Sequence, residues 1–449
     1  MLERHVWNDF IEWKGRGASR GLLVTGARQV GKTYLIREFA KRNYENLAEI
    51  NLLESKKAVT ILDSAENAED FFSRLSILAN TNLKAGKTLI FIDEVQESRE
   101  IITAIKFLVQ RYDFNFVLSG SMLGVELKDV RSVPVGYLDV IEMKPLSFAE
   151  YAAARMTGQD FSEIITDALH ARKALPDYLH ERLLRLFHEY LIVGGMPAVV
   201  ADFVETNDLR SVRRLQKNIT TLYRWDISKY EKGSSLLIKN MYDVIPAELN
   251  HQNKRFILKN MNEKARFSRY ADSLVWLADA GVALPVFCVE EPVYPLLLSS
   301  STNLFKLYLS DVGLLTSTFL KGTTLDILAK NPNVNYGSIY ENAVAQELCS
   351  AGFDVFYYKN KKRGELDFVV EDAQGRVMPI EVKSGKDYKR HNALSNLLNV
   401  ADYGLEEGFV LCDGNVGRHG RVTYLPIYMA GFLAGIAGAR RGDFQSPAV

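Results

Sequence analysis

The chain has 449 residues, 24% charged and 47% hydrophobic, with 55 Lys+Arg against 55 Asp+Glu. At roughly 150 residues per domain this is enough for about three domains with cores of their own, and the mix is too apolar for a disordered chain. Zero net charge excludes a whole-molecule electrostatic argument for nucleic-acid binding, so any such argument rests on local patches. Three cysteines (Cys288, Cys349, Cys412) stand far apart with no CxxC pair. That speaks against a disulfide framework or structural zinc, and for a reducing compartment. The N-terminal MLERHVWNDFIEWKG is charged and amphipathic, unlike a signal peptide, and the apolar stretch Tyr428–Ala439 is short and Gly-interrupted. The reading is a cytoplasmic, soluble, multidomain α/β protein without a membrane partner.

In chain order, GLLVTG (21–26), LAEINL (47–52), TLIFID (88–93) and FNFVLSG (114–120) are continuous apolar runs, as in strands buried on both faces. Helical patterns over Thr33–Asn43 and Glu100–Tyr112 lie between them, so residues 1–150 predict a parallel sheet covered by helices. YLDVIEMKPLSFAEY (137–151) reads as one more strand leaving that sheet. Residues 151–232 turn helical, in HERLLRLFHEYLIV (180–193) and DLRSVRRLQKNITTLYRWDISKY (208–230), with a GGMP break at Gly194–Pro197 between them. Residues 233–330 pair short helices with the Pro-punctuated VALPVFCVEEPVYPLLL, a pattern compatible with a winged helix-turn-helix. Arg266, Arg269 and Tyr270 are its candidates for a recognition helix, without a readable base-contact pattern. The KNPNVNYG loop marks a boundary, and 331–449 return to α/β with strands at FDVFYY, ELDFVV and PIEVKS.

The strongest motif is Gly26-Ala27-Arg28-Gln29-Val30-Gly31-Lys32-Thr33, which fits G-x-x-x-x-G-K-[ST]. At average residue frequencies it arises by chance in about one chain in a hundred of this length. Glycines let the backbone curl so that its N–H groups face phosphates, and the following helix adds its positive end. Lys32 supplies a mobile cation for the β- and γ-phosphates, and the Thr33 hydroxyl can bind Mg²⁺. Residues 26–33 and the adjoining Tyr34 are the candidate ATP contacts. Leu89-Ile90-Phe91-Ile92 then runs into Asp93-Glu94. An acid at the C-terminal end of a buried parallel strand points into the ligand crevice. Asp93 is the candidate Mg²⁺ holder and Glu94 the group that polarises the attacking water, so the pair points to hydrolysis rather than passive holding.

These residues resemble the AAA-like P-loop ATPases, and among them the bacterial and archaeal ATPases with a nuclease-like C-terminal domain. GARQVGKT, LIFIDEVQ, LSGSM, PLSFAEY, GGMP, KLYLSDVGLL (306–315), GELDF and EVKSG carry the resemblance over nearly the whole chain. It implies that Ser119 senses the γ-phosphate and that GGMP closes a helical lid over the nucleotide. Gly136-Tyr137 stands where family members commonly carry Gly-Arg. Arg131 is the candidate replacement, in cis or in trans, and oligomerisation stays open.

Near the C-terminus, side chains alternate along GELDF (364–368) and PIEVKSG (379–385), so Glu365 and Asp367 share one strand face and Glu381 and Lys383 another. If the strands pair as a hairpin, Asp367, Glu381 and Lys383 converge. Two carboxylates beside a lysine form a hard-oxygen site suited to Mg²⁺, with Mn²⁺ as the alternative ion, and to phosphodiester hydrolysis. The pattern resembles the Asp…Glu-x-Lys core of restriction-endonuclease-like nucleases, where Glu341 matches an acid brought from the first helix. Lys359, Lys361, Lys362 and Arg363 precede this site, Lys386, Lys389, Arg390 and His391 follow it, and Arg418 and Arg421 lie further on; such clusters hold phosphates. The expected fold is thus a P-loop ATPase core (1–150), a helical lid (151–232), a winged-helix-like region (233–330) and a restriction-endonuclease-like domain (331–449). The expected function is an ATP-hydrolysing switch or motor coupled to a metal-dependent nuclease acting on nucleic acid. The alternative is a signal-transducing ATPase whose C-terminal domain binds DNA or protein without cleavage.

Overall fold

Four of the apolar runs stand side by side as parallel strands: β1 (Gly21–Thr25), β2 (Asn46–Asn51), β3 (Thr88–Asp93) and β4 (Asn115–Ser119). β5 (Leu138–Glu142) leaves them as the sequence suggests and pairs parallel to β1, giving the order β2-β3-β4-β1-β5. The two central strands β3 and β4 are buried at every residue, while the edge strands β2 and β5 are not. That is why the sequences of β3 and β4 are unbroken apolar runs, whereas β2, read as buried on both faces, is an edge strand in which only Ala48 and Ile50 are buried.

Helices α1 (Trp7–Gly15), α2 (Lys32–Asn43), α3 (Lys56–Asp63), α4 (Ala68–Leu78) and α5 (Ile101–Arg111) accompany the sheet. Ile101, Ile105 and Leu108 of α5 and Phe71 and Leu75 of α4 pack on Ile90, Ile92, Phe116 and Leu118 in one apolar core. Each such side chain contributes about 1.5–3 kcal/mol on burial. The computed structural model describes residues 2–98, 100–121, 136–156, 161–229, 235–251, 254–256, 267–319, 323–331 and 334–437. The described chain forms two compact units: Glu3–Lys144 with Asp279–Gly281, and the remainder.

The second unit begins with helices. α6 (Phe148–Arg155) starts at a capping box in which Ser147 and Glu150 satisfy each other's backbone N–H groups. α7 (Ser162–Ala171) and α8 (Asp177–Val193) follow; α8 stops at Gly194, whose φ is +73°, and α9 (Pro197–Thr206) starts with proline at its first turn. GGMP is therefore a helix stop and a helix start in four residues. α10 (Leu209–Lys229), α11 (Ser235–Asn250) and α12 (Phe267–Asp279) complete the helical stretch, α12 ending at the join with the first unit.

An eight-stranded mixed sheet follows. Its strands are β6 (Ala283–Val289), β7 (Ser300–Leu309), β8 (Phe356–Asn360), β9 (Gly364–Glu371), β10 (Val377–Val382), β11 (Gly408–Cys412), β12 (Gly417–His419) and β13 (Val422–Pro426). Their order is β12-β13-β11-β10-β9-β8-β6-β7. Three expectations are corrected here. The Pro-punctuated segment read as part of a winged helix instead supplies β6, which with β7 forms the edge of the C-terminal sheet, because Phe287–Val289 pair in parallel with Phe356–Tyr358. The boundary expected at 330/331 therefore falls inside one sheet. Tyr270, read as a recognition-helix residue, is 2% exposed and belongs to the core. Arg131 and Arg266 lie outside the described residues, as does the side chain of Arg269.

Between β7 and β8 come α13 (Val312–Ser317), α14 (Thr323–Leu328) and α15 (Tyr336–Ser350); α16 (Asn392–Leu398) and α17 (Leu433–Ala437) complete the helices named here. Every residue of α15 from Ser338 to Leu348 is buried, charged ones included. Among the described residues no helix is long and apolar enough to cross a membrane.

Candidate functional site

The chain leaves β1 into a loop built on left-handed backbone: φ is +129° at Gly26, +70° at Gln29 and +90° at Gly31. At Gly26 the glycine is required twice over, since a Cβ there would also run into the Met143 carbonyl oxygen. The loop delivers the N-terminus of α2, where orphan N–H groups and the helix dipole favour an anion. Lys32 Nζ donates to the Gly26 and Ala27 carbonyls, 2.9 Å each. Burial pushes the Lys32 ammonium down to about 8, against the pull of Glu94 and Asp93. Ala27 and Val30 are buried in the loop wall, whereas Tyr34 is 60% exposed.

Strand order sets the acids against this loop. β4 lies between β3 and β1, so the ends of the three strands present Asp93, Ser119 and the P-loop in succession. Thr33 Oγ1 donates to Asp93 Oδ2 at 2.9 Å, Ser119 Oγ donates to Asp93 Oδ1, and the Glu94 N–H donates to the same oxygen at 3.0 Å. A buried carboxylate beside a threonine hydroxyl is a hard-oxygen pair that fits Mg²⁺ carried in with nucleotide phosphates.

Glu94 sits at φ +56°, an uncommon place for a non-glycine residue and one that turns it out of the strand. Its Oε2 accepts from Gln96 Nε2 at 2.6 Å and from Ser121 Oγ at 3.4 Å, and Arg28 Nε donates to Ser121 Oγ at 3.4 Å. All the P-loop and strand-end residues singled out in the sequence are thus gathered at one end of the sheet.

Residues the sequence gave no reason to choose support them. Arg4 donates to the Val30 carbonyl at 3.2 Å and to the Lys144 carbonyl at 2.6 Å, tying α2's entry loop to the strand exit. Gly281, at φ +68°, lies so close to Ala27 that a Cβ would stand 3.0 Å from its nitrogen. Gln96 and Ser121 lie inside the LIFIDEVQ and LSGSM stretches but carried no role of their own there, and their contacts with Glu94 supply one.

The C-terminal hairpin is also real: β9 and β10 pair antiparallel with Ile380 opposite Phe368, so one step further Glu381 falls opposite Asp367. Lys383 Nζ reaches Glu381 Oε1 at 2.5 Å, and the Val382 N–H donates to Asp367 Oδ2 at 2.8 Å. Glu341 comes from α15. A residue outside GELDF and PIEVKSG stands at the centre. Lys306 of β7, 1% exposed, places Nζ 3.0 Å from Glu365 Oε1, 3.7 Å from Glu341 Oε2 and 4.0 Å from Asp367 Oδ1. Lys254 pairs with Glu341, Lys359 pairs with Glu365 at 2.6 Å, and Tyr308 OH donates to Glu341 Oε2 at 3.1 Å.

Burial works against all of these charges, yet Lys306 and Lys254 hold the Glu341 carboxyl below its usual range, and Lys306 and Lys359 do the same for Glu365. Asp367 goes the other way: burial and then the Glu341 charge push its carboxyl up. Four carboxylates therefore meet four ammonium groups. Among the described residues no three His, Cys, Asp or Glu side chains are grouped to hold a metal. Glu381 Oε2 is buried without a hydrogen-bond partner, but one oxygen is not a coordination sphere. The residues present do not fit Mg²⁺ or Mn²⁺, so the metal-ligand reading of Glu341, Asp367 and Glu381 is not carried forward.

Of the basic residues around this cluster, Lys361, Lys362, Lys386, Lys389 and Arg390 are exposed. Others are engaged: Arg363 with Tyr403, Arg421 with the Leu398 and Glu406 carbonyls, and His391 with Ser395 and Tyr424.

The GGMP and KLYLSDVGLL motifs meet inside the second unit. Asp311, fully buried at the N-cap of α13, accepts from the Gly195 N–H at 2.6 Å and the Leu314 N–H at 2.8 Å. Burial pushes its carboxyl up to about 6. A Cβ at Gly194 would run into the same carboxylate, so the first glycine of the motif makes room for the aspartate and the second donates to it.

Residues 18–152 match a family model described as an AAA domain, 184–325 a domain of unknown function (DUF8612), and 336–429 another (DUF4143). No curated protein matches the chain. Among solved structures it is similar to the Walker-type ATPase PABY2304 of Pyrococcus abyssi, at 14% identity and TM-score 0.43 over 71% of this chain and 95% of that one. It is also similar to the Thermotoga maritima RuvB Holliday junction branch migration motor, at 15% identity and TM-score 0.29 over 63% and 89%. A third is C. elegans PCH-2, at 13% identity and TM-score 0.25 over 62% and 69%. The AAA-domain match takes in the P-loop, Asp93, Glu94 and Ser119.

Proposed function

We propose that the protein is an ATP-hydrolysing switch whose C-terminal sheet binds nucleic acid without cutting it. The observation that carries the first half is the Asp93 carboxylate, held between the Thr33 hydroxyl, the Ser119 hydroxyl and the Glu94 N–H. In this reading Thr33 and Asp93 hold Mg²⁺, which supplies charge neutralisation for the transferred phosphoryl group. Lys32 exchanges its two loop carbonyls for the β- and γ-phosphate oxygens. That exchange is favoured by a less hydrated ammonium in a partly buried setting. Ser119 joins the γ-phosphate to Asp93, so loss of the phosphate is felt at the strand end. Glu94 orients and deprotonates the attacking water once it turns away from Gln96 and Ser121.

The second half is supported by the exposed basic residues Lys361, Lys362, Lys386, Lys389 and Arg390, which offer phosphate contacts, and by lysines that neutralise the nearby carboxylates. The test is phosphate release from ATP by wild type and Lys32→Ala, with and without single- and double-stranded DNA and RNA. Wild type should hydrolyse ATP, respond to one class of nucleic acid, and leave it intact in Mg²⁺ and Mn²⁺. A Lys32→Ala protein as active as wild type would end the ATPase reading. Cleavage lost in Asp367→Ala would replace the binding reading with the nuclease.

A further inference from the structure

We propose that Lys306 is a built-in cation standing where a divalent metal would stand, and that its ammonium keeps Mg²⁺ and Mn²⁺ out of the Glu341–Glu365–Asp367 cluster. The inference deepens the non-cleaving reading of the C-terminal sheet and rests on it.

The geometry is that of a central cation. Carboxylates from two elements, Glu341 on α15 and Glu365 and Asp367 on β9, converge on one Nζ within 4.0 Å. Other oxygens of these groups are turned to other donors: Lys254 for Glu341, Lys359 for Glu365, the Val382 N–H for Asp367. A hexacoordinate ion needs oxygen lone pairs aimed at one point. Here that point is filled, and the lone pairs around it are already spent on N–H donors.

Lys306 is anchored as well as central. Its side chain is 1% exposed, it sits inside the β6–β7 ladder opposite Val286, and its ammonium lies 5.1 Å from the centre of the Tyr357 ring. To admit a metal the ammonium would have to leave the three carboxylates that surround it. An uncompensated buried ammonium is strongly disfavoured. A divalent ion added on top of it would meet a cluster whose three carboxylates already face Lys306, Lys254 and Lys359. Removing Lys306 reverses both conditions, leaving three converging carboxylates and a cavity about the length of the lost side chain.

The experiment is a Mn²⁺ titration of full-length, nucleotide-free protein, followed by loss of the free-ion electron paramagnetic resonance signal. Wild type, Asp367→Asn, Lys306→Met and the double variant are compared. Wild type and Asp367→Asn should bind the same number of Mn²⁺ ions, since Asp93 contributes equally to both. Lys306→Met should gain one site that the added Asp367→Asn removes. An Asp367-dependent ion in wild type would overturn the proposal, as would a folded Lys306→Met protein, checked by circular dichroism, that gains no ion. If Lys306→Met does not fold, the comparison of wild type with Asp367→Asn still decides. Metal binding without cleavage would overturn this inference and leave the binding reading standing. Metal-dependent cleavage would overturn both.

Discussion

Thr33 and Asp93 lie 60 residues apart in the chain and 2.9 Å apart in space, oxygen to oxygen. The first opens a helix and the second closes a strand. Their meeting turns two short motifs into one site, and it makes each residue's contribution separable by experiment.

Asp93→Asn keeps the hydrogen bond to Thr33 but removes the charge that faces Mg²⁺. Steady-state phosphate release should fall about 100-fold or more, with nucleotide affinity in the absence of metal nearly unchanged. Thr33→Ala should instead raise the Mg²⁺ concentration needed for half-maximal rate, since only a neutral ligand is lost.

Glu94→Gln removes the base and leaves the P-loop intact. Turnover should drop roughly 100- to 10,000-fold while ATP binding stays within a few-fold of wild type. Gln96→Ala frees Glu94 from its shorter hydrogen bond, and a rise in basal turnover is expected. Equal loss of binding and turnover in Glu94→Gln would mean that Glu94 shapes the loop rather than acting on water.

How far the sequence reaches is clearest at these two sites. The P-loop, Asp93, Glu94 and Ser119 are legible because each is local: a glycine pattern, an apolar run ending in acids, a polar residue closing a strand. The β9–β10 hairpin is legible for the same reason, through alternation. Lys306 is not. It stands in LFKLYL, an apolar strand in which one lysine reads as an interruption. What gives it meaning is α15 and β9, which approach it only when the sheet closes. The edge position of β6–β7 escaped for a related cause. Parallel pairing of Phe287–Val289 with Phe356–Tyr358 spans about seventy residues, and no local pattern announces a partner that distant.

Asp311→Ala strips the acceptor from two buried N–H groups, those of Gly195 and Leu314. A cost on the order of 2–5 kcal/mol in urea denaturation is expected, since each orphaned donor costs about 1–3 kcal/mol. Gly194→Ala should be comparably harmful through φ and through collision with the same carboxylate, and the two changes together should cost less than their sum.

Glu347 gives a pH signature. It is 2% exposed and accepts from the Phe148 N–H at 2.8 Å and from Tyr190 OH at 3.1 Å; burial nevertheless pushes its carboxyl from 4.5 up to about 7. A carboxyl with a higher value folded than unfolded holds its proton more tightly in the native state. Its effect on stability is therefore most favourable below about 4.5, declines as pH rises from about 4.5 to about 7, and levels off above. Glu347→Gln should flatten this slope by an amount on the order of 3 kcal/mol between pH 4.5 and 8, read as the difference in unfolding free energy at the two ends.

The sheet that joins residues 283–309 to residues 356–426 has a consequence for how this chain can be divided. A fragment starting at Tyr336 would keep six strands and lose two, baring the backbone of Phe356–Tyr358 along with its aromatic side chains. Such an unprotected edge seeks another strand, and in solution the nearest is that of a second fragment. The isolated piece should self-associate, and adding residues 283–309 back should restore monodispersity. The two stretches are thus one folding unit, and a cut at the loop between them leaves neither side a complete sheet.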